Sequence, residues 1–334
     1  MDIAALMARA EACERAGAPR DAEAAYDILI VAATRGGDQV TLAEAFRRQA
    51  VLAHQAGDSM RARSALQHSY AVTTLLGDGR LTAKTLNTLG GIELETRNLD
   101  AAETALAEAA SLASEDPALL ARISQNLGIV ANIRGDHAAA AVNYRRSLAA
   151  YEALSDPQGS AIAHHNLGML AADRGALAEA SEHFQACESL ARLSGDTHLV
   201  ALCRVNYAEV LLLLGRRREA RSAAEEAQRT FESIEANFDA PDVQRVLALC
   251  DRAEGLLRQA ETRLLRAREL ARIADARLIE AEVARDLGRV YAESGRPVQA
   301  RAALKDAVRT FSELGAAGDM VATEHELELL ALAP

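Results

Sequence analysis

A chain of 334 residues with 50% apolar but only 3% aromatic residues, no Trp and six prolines is rich in small, strong helix formers, which suits many closely packed helices rather than a sheet. Its formal net charge of −11 repels polyanions at long range, so neither nucleic acid nor an acidic membrane is an expected partner. No apolar run approaches the ~20 residues of a membrane span, and the opening MDIAALMARAEACERAG lacks the basic-then-apolar order of a signal peptide, so a cytoplasmic location is expected.

Turn residues recur along the chain with a period of forty. The first predicted hairpin, 1–38, turns at Gly17, with Ala22 and Tyr26 five and nine residues further on. The second, 39–78, repeats this with Gly57, Ala62 and Leu66. The third, 79–116, puts Arg97 at the turn before Ala102 and Leu106, carries Gly90-Gly91 inside its first helix, and has a following loop two residues short. A bend or hinge is expected there. The fourth, 117–156, opens on Pro117 after Asp116 and turns at Gly135 before Ala140 and Tyr144. The fifth, 157–196, has Gly175, Ala180 and Phe184, and the sixth, 197–238, has Gly215, Ala220 and the smaller Ala224. The seventh, 239–277, opens near Pro241 and turns at Gly255 before Ala260 and Leu264; the eighth, 278–316, has Gly295, Pro297, Ala300 and Leu304. A last amphipathic stretch, 318–332, would cap the exposed end of the stack.

Each period reads as two helices joined by a residue in the left-handed conformation that ends a helix. The invariant alanine marks the closest crossing of the two helices, and the bulky group four residues on is expected to fill the space between hairpins. The whole chain, 1–334, is then one all-α domain. Four cysteines (Cys13, Cys187, Cys203, Cys250) without paired short spacings predict reduced, mostly buried thiols.

The segments NLGIVANIRGDHAAAAVNYRRSLA and NLGMLAADRGALAEASEHFQACESLA resemble the tetratricopeptide repeat family. They match its small first-helix residue (Gly90, Gly128, Gly168, Gly288), its turn glycine and its alanine. The forty-residue length looks like the repeats of kinesin light chains, LGN-type polarity adaptors, and MalT-like and Rap-like bacterial regulators. The resemblance implies a right-handed superhelical solenoid of eight hairpins plus a C-terminal capping helix, with the first helices lining a concave groove that binds peptides or proteins.

On those first helices, residues thirteen, nine, six and two before the turn share one face, which the resemblance makes the concave one. Asn126, Asn166 and Asn206 stand nine before the turn in consecutive repeats. Asn costs up to ~0.7 kcal/mol relative to Ala in a helix interior, so a repeated Asn asks for a reason. A carboxamide can hold a peptide unit by its C=O and N–H together, and asparagine ladders of the family bind extended peptides in this register. The alternative is that the amides bond one another or neighbouring side chains across the stack.

Asn87 and His165 join the expected peptide-binding set, as do Arg122, Ile129, Met169 and Glu209. Arg47, Arg48 and Lys84 add a basic strip, so the expected partner is a protein or peptide with an extended, acidic segment. Arg245, Arg285 and Arg289 supply later cations, interrupted by Glu209, Asp286 and Glu293. The arginines of GRRREAR and from Arg258 to Arg277 read as solvated helix surface.

His164 and His165 are adjacent and point about 100° apart on a helix, which rules out convergence on one ion. His183 and Cys187 have helical metal-ligand spacing, and Cys203 follows on the next helix, so a metal- or thiol-dependent enzyme centred on these three is the outlying reading. With no phosphate loop, Ser-His-Asp set or paired catalytic carboxylates, neither catalysis nor a cofactor is expected. The leading function is a non-catalytic adaptor or regulatory scaffold, with a Rap-like peptide sensor as the alternative.

Overall fold

The computed structural model describes residues 2–113, 115–234 and 240–332. Among them the chain forms seventeen α-helices, paired into hairpins. These are α1 (Ile3–Arg15) with α2 (Pro19–Gly36), α3 (Gln39–Gln55) with α4 (Ser59–Leu76), α5 (Gly79–Glu95) with α6 (Leu99–Leu112), and α7 (Pro117–Ile133) with α8 (His137–Ala153). There follow α9 (Pro157–Asp173) with α10 (Leu177–Ser194), α11 (Thr197–Leu213) with α12 (Arg217–Ser233), α13 (Ala240–Ala253) with α14 (Leu257–Ile273), and α15 (Arg277–Glu293) with α16 (Pro297–Glu313). The final helix, α17 (Ala317–Leu332), packs on α16 as the expected cap. The expected boundary at 238/239 lies outside the described residues.

The helices divide into two compact units, residues 1–154 and 155–334. In the first, the first helices α3, α5 and α7 touch in sequence; in the second, α9, α11, α13 and α15 do so. Each unit is thus a stack of hairpins with its first helices side by side.

Local sequence accounts for the punctuation. The turn residues Gly17, Gly57, Gly135, Gly175, Gly215, Gly255 and Gly295 all have positive φ, and Arg97 takes the same conformation at φ 62° despite its side chain. A second register twenty residues away closes the hairpins from outside: Gly37, Gly77, Gly195 and Gly315, with Ser155 and Asp275 at φ 53° and 52°. Aspartates follow many of these turns. Asp38, Asp58, Asp78, Asp136 and Asp196 each accept a hydrogen bond from the backbone N–H three residues on, caps worth about 1 kcal/mol each relative to Ala.

All eight register alanines, from Ala22 to Ala300, have no exposed surface, as the close crossing requires. The bulky residue four further on shares buried clusters with the next hairpin, as expected: Leu106 with Leu119 and Ile123, Phe184 with Val210, and Leu264 with Val283 and Leu287. It also packs within its own hairpin, over the small residue of the first helix: a β-carbon on Gly90, Gly128, Gly168 or Gly288 would lie 2.5–2.8 Å from Leu106, Tyr144, Phe184 or Leu304. Where the second helix has Ala224, the first helix has Ala208 in the same cluster. The hinge expected at Gly90-Gly91 differs, because α5 runs unbroken through both glycines and Gly90 is taken up by the Leu106 contact.

The cysteines correct the expectation of four thiols. Antiparallel packing of α10 against α11 buries Cys187 and Cys203 face to face at a Cα–Cα distance of 6.5 Å, and the two are joined as a disulfide. Cys13 and Cys250 are free, and burial pushes the Cys250 thiol up to about 11.

Candidate peptide-binding face

The candidate residues lie on first helices, so the stacking of those helices decides what they meet. Adjacent first helices are offset so that the residue ten before one turn meets the residue nine before the next. In the first unit Arg47 Nη1 donates to Thr88 Oγ1 (3.1 Å), and Asn126 Nδ2 donates to Asn87 Oδ1 (3.1 Å). In the second, Asn206 Nδ2 meets His165 Nε2 at 2.8 Å, Val205 shares a buried cluster with Val246, and Arg245 Nη1 donates to Asp286 Oδ2 (3.1 Å). The asparagine register is therefore half of a cross-hairpin pairing column at two of its three positions, which gives Asn126 and Asn206 a reason to sit in a helix.

The pairs do not exhaust the amides. Asn87 Nδ2, Asn126 Oδ1 and Asn206 Oδ1 have no partner among the described residues. Asn166 differs: its Nδ2 is buried and makes no hydrogen bond there. His165 lies edge-on to Phe184 at 6.0 Å, and burial pulls its pKa down to about 4, only partly offset by the Asn166 side chain. A neutral ring leaves Nε2 free to accept the Asn206 amide.

The basic strip is partly spent. Arg47 bonds Glu44 at 2.9 and 2.5 Å, and Arg48 reaches Glu44 (3.1 Å) and Glu14 (3.5 Å). Lys84 is half-buried and Arg122 is exposed, and neither forms an ion pair among the described residues. The first unit thus brings together Lys84, Asn87, Arg122, Asn126 and half-buried Ile129 on two neighbouring helices. The second presents Met169 at 37% exposure and Leu213 at 64% on the same register.

Toward the chain end the face is a charge network that spacing within one repeat conceals. Arg245, buried, is surrounded by Glu209 (2.7 Å), Glu282 (3.3 Å) and fully buried Asp286. Glu209 is therefore an internal partner of Arg245. Arg289 bridges Asp286 and Glu326, and Arg285 bonds Asp319 at 2.5 Å. Burial and the Glu209 charge outweigh Arg245 and push Glu282 up to about 7. The forty-one-residue interval from Arg245 to Asp286 is the signal that would have exposed this network.

Of the outer arginines, Arg216 on Glu219 and Arg272 on Glu280 are surface pairs as expected, whereas Arg221 and Arg263 depart from that reading and turn inward onto buried Asp251. The proposed cluster of His183, Cys187 and Cys203 is not a ligand set: the sulfurs bond each other, and His183 Nδ1 lies 2.9 Å from His164 Nδ1. Among the described residues no group of three His, Cys, Asp or Glu could hold a metal ion, and no helix is long and apolar enough to cross a membrane.

Regular hairpins with a left-handed turn, a fully buried alanine and a paired first-helix column define a helical-hairpin repeat protein. The tetratricopeptide repeat model matches residues 81–153, 159–233 and 239–313, well over half of the chain. The chain belongs to the tetratricopeptide repeat family. No curated protein matches its sequence. Among solved structures it is similar to a Rap protein complexed with competence and sporulation factor, at 14% identity and a TM-score of 0.66 over 98% of this chain and 97% of that one. NprR in complex with its cognate peptide NprX gives 12% identity and a TM-score of 0.62 over 86% and 82%. A signal-transduction ATPase with a tetratricopeptide repeat sensor from Pyrococcus horikoshii gives 17% and 0.63 over 89% of this chain and 45% of that one. At these identities the likeness is one of fold.

Proposed function

We propose that the chain is a non-catalytic regulatory scaffold or adaptor that holds an extended segment of a partner along its first-helix face. The observation that carries this reading is the set of unspent amide groups on Asn87, Asn126 and Asn206. Each retains a donor or acceptor after its internal hydrogen bond, so each can take one more bond from a peptide backbone at about 1 kcal/mol net. Within the second unit, Met169 and Leu213 offer apolar anchorage on the face that carries Asn206. Lys84 and Arg122, without ion-pair partners among the described residues, favour an acidic side chain over the first unit.

Peptide display against the wild type and an Asn126→Ala/Asn206→Ala variant tests this. Selection of extended, Asp- or Glu-bearing sequences that the variant binds roughly tenfold or more weakly supports the reading. Equal retention by both proteins overturns it.

A second reading, a peptide sensor that changes conformation on binding, is favoured by two neighbours in fold. One was solved with competence and sporulation factor and the other with its cognate peptide. Compaction of the chain in small-angle scattering on adding a selected peptide separates it from a static adaptor.

A further inference from the structure

The first unit carries a cleft of about 700 Å3 on its second-helix side, between α4 and α6. Leu66, Leu86, Leu89 and Ala105 give it an apolar lining, and Glu93, Asp100, Glu108 and Arg63 are its charged groups. Glu93, on α5, has a side chain only 8% exposed. Asn98 Nδ2 donates to its Oε2 at 2.8 Å, while its one ion-pair partner among the described residues, Arg63, is 62% exposed and 3.5 Å from Oε1. Glu108 is held by Tyr70, and Asp100 by Arg134.

The repeat architecture provides an internal comparison. Glu93 stands four residues before its turn, and Asp251 stands four before the turn of the seventh hairpin. Asp251 is likewise buried, at 1% exposure, but two guanidiniums neutralise it: Arg221 and Arg263, each at 2.8 Å. Arg221 and Arg63 occupy equivalent positions, six after the turn of the preceding hairpin; Arg263 and Ala105 are equivalent, eight after their own turn. In the third hairpin the second cation has been cut back to a methyl group, and the cleft lies where its side chain would run. A buried carboxylate with a single loosely held cation remains under-neutralised, and burial makes a second charge-assisted bond more favourable than at the surface.

We propose that this cleft binds a small organic cation, an ammonium or guanidinium group on an apolar body, with the charge on Glu93 and the body against Leu66, Leu86 and Leu89. The ligand takes the place that Arg263 fills for Asp251. The cleft volume falls within the range of small-molecule sites, and the excess of carboxylates over Arg63 favours a cation over an acid.

Calorimetric titration of the full chain with 2-phenylethylguanidine, and with neutral 2-phenylethylurea as its isostere, tests this. The guanidine binds at least tenfold more tightly than the urea, and Glu93→Gln removes that difference while helical content, followed by circular dichroism, stays unchanged. Ala105→Arg restores the internal cation, so it abolishes guanidine binding and raises the melting temperature. Equal binding of both probes, absence of guanidine binding at millimolar concentration, or undiminished binding to Ala105→Arg overturns the proposal.

Discussion

Phe184 rests directly against the backbone of Gly168: a β-carbon on Gly168 would come within 2.8 Å of Cε1 of the ring. The second and seventh hairpins solve the same crossing with Ala50 against Leu66 and Ala248 against Leu264. Gly168→Ala therefore gains up to about 1 kcal/mol of helix propensity but overpacks a rigid ring at a cost of about 1–3 kcal/mol. A net loss on the order of 1 kcal/mol is expected in chemical denaturation. Adding Phe184→Leu relieves the clash, so a double-mutant cycle should show favourable coupling between the two substitutions. Strict additivity would mean that glycine and ring are not in contact.

This pairing shows how far the sequence was readable. The period of forty made the hairpins, the turn residues and the buried alanines legible, because each is a local backbone or packing requirement repeated in register. It could not say that Tyr144 and Phe184 also face Gly128 and Gly168 within their own hairpins, since that depends on the crossing of two helices. The asparagine column was visible in part. Its partners Asn87 and His165 stand one position off the register, at ten before the turn, and only the offset between stacked first helices reveals them. His164, read beside His165 in sequence, finds its neighbour His183 across the hairpin nineteen residues away. The disulfide was hidden for the same reason: sixteen residues separate Cys187 from Cys203, and no short motif joins them.

The His165–Asn206 bond makes a stability prediction independent of any ligand. Asn206→Ala leaves a half-buried imidazole nitrogen without its donor, at about 1–2 kcal/mol, offset by up to ~0.7 kcal/mol of helix propensity. Asn206→Asp should be the worse substitution at neutral pH, because its carboxylate offers Nε2 no hydrogen and adds a charge beside a ring that burial keeps neutral. Urea denaturation at pH 7 ranks the three proteins; a fully stable Asp variant would contradict the pairing.

Arg245 is the keystone of the second unit's charge network. Arg245→Met removes the guanidinium from between Glu209, Glu282 and Asp286 and leaves buried carboxylates without their shared cation. A loss of roughly 3–5 kcal/mol is expected on breaking such a pair from one side. Replacing Asp286 as well, with Arg245→Met/Asp286→Leu, should recover a substantial part of it. Thermal melts of the single and double variants check this, and a double variant no more stable than the single one would remove Asp286 from the network's energetics.

Glu282 gives that network a pH dependence whose sign is fixed. Its folded pKa, raised to about 7 by burial and by Glu209, lies above the unfolded value of about 4.3, so the folded state binds the proton more tightly. Folded stability contributed by this group is then fully present below the unfolded pKa and is lost as pH rises through about 7. His164 and His165 act in the opposite direction, since folded values near 4 cost stability as pH falls below about 6.5. Because the histidines are common to both proteins, comparing wild type with Glu282→Gln isolates the carboxyl group. The variant should be more stable than wild type at pH 8, by up to about 3 kcal/mol, with the advantage shrinking toward zero at pH 5. Melting temperatures collected across that range decide the matter: a difference independent of pH would place the Glu282 titration outside the interval.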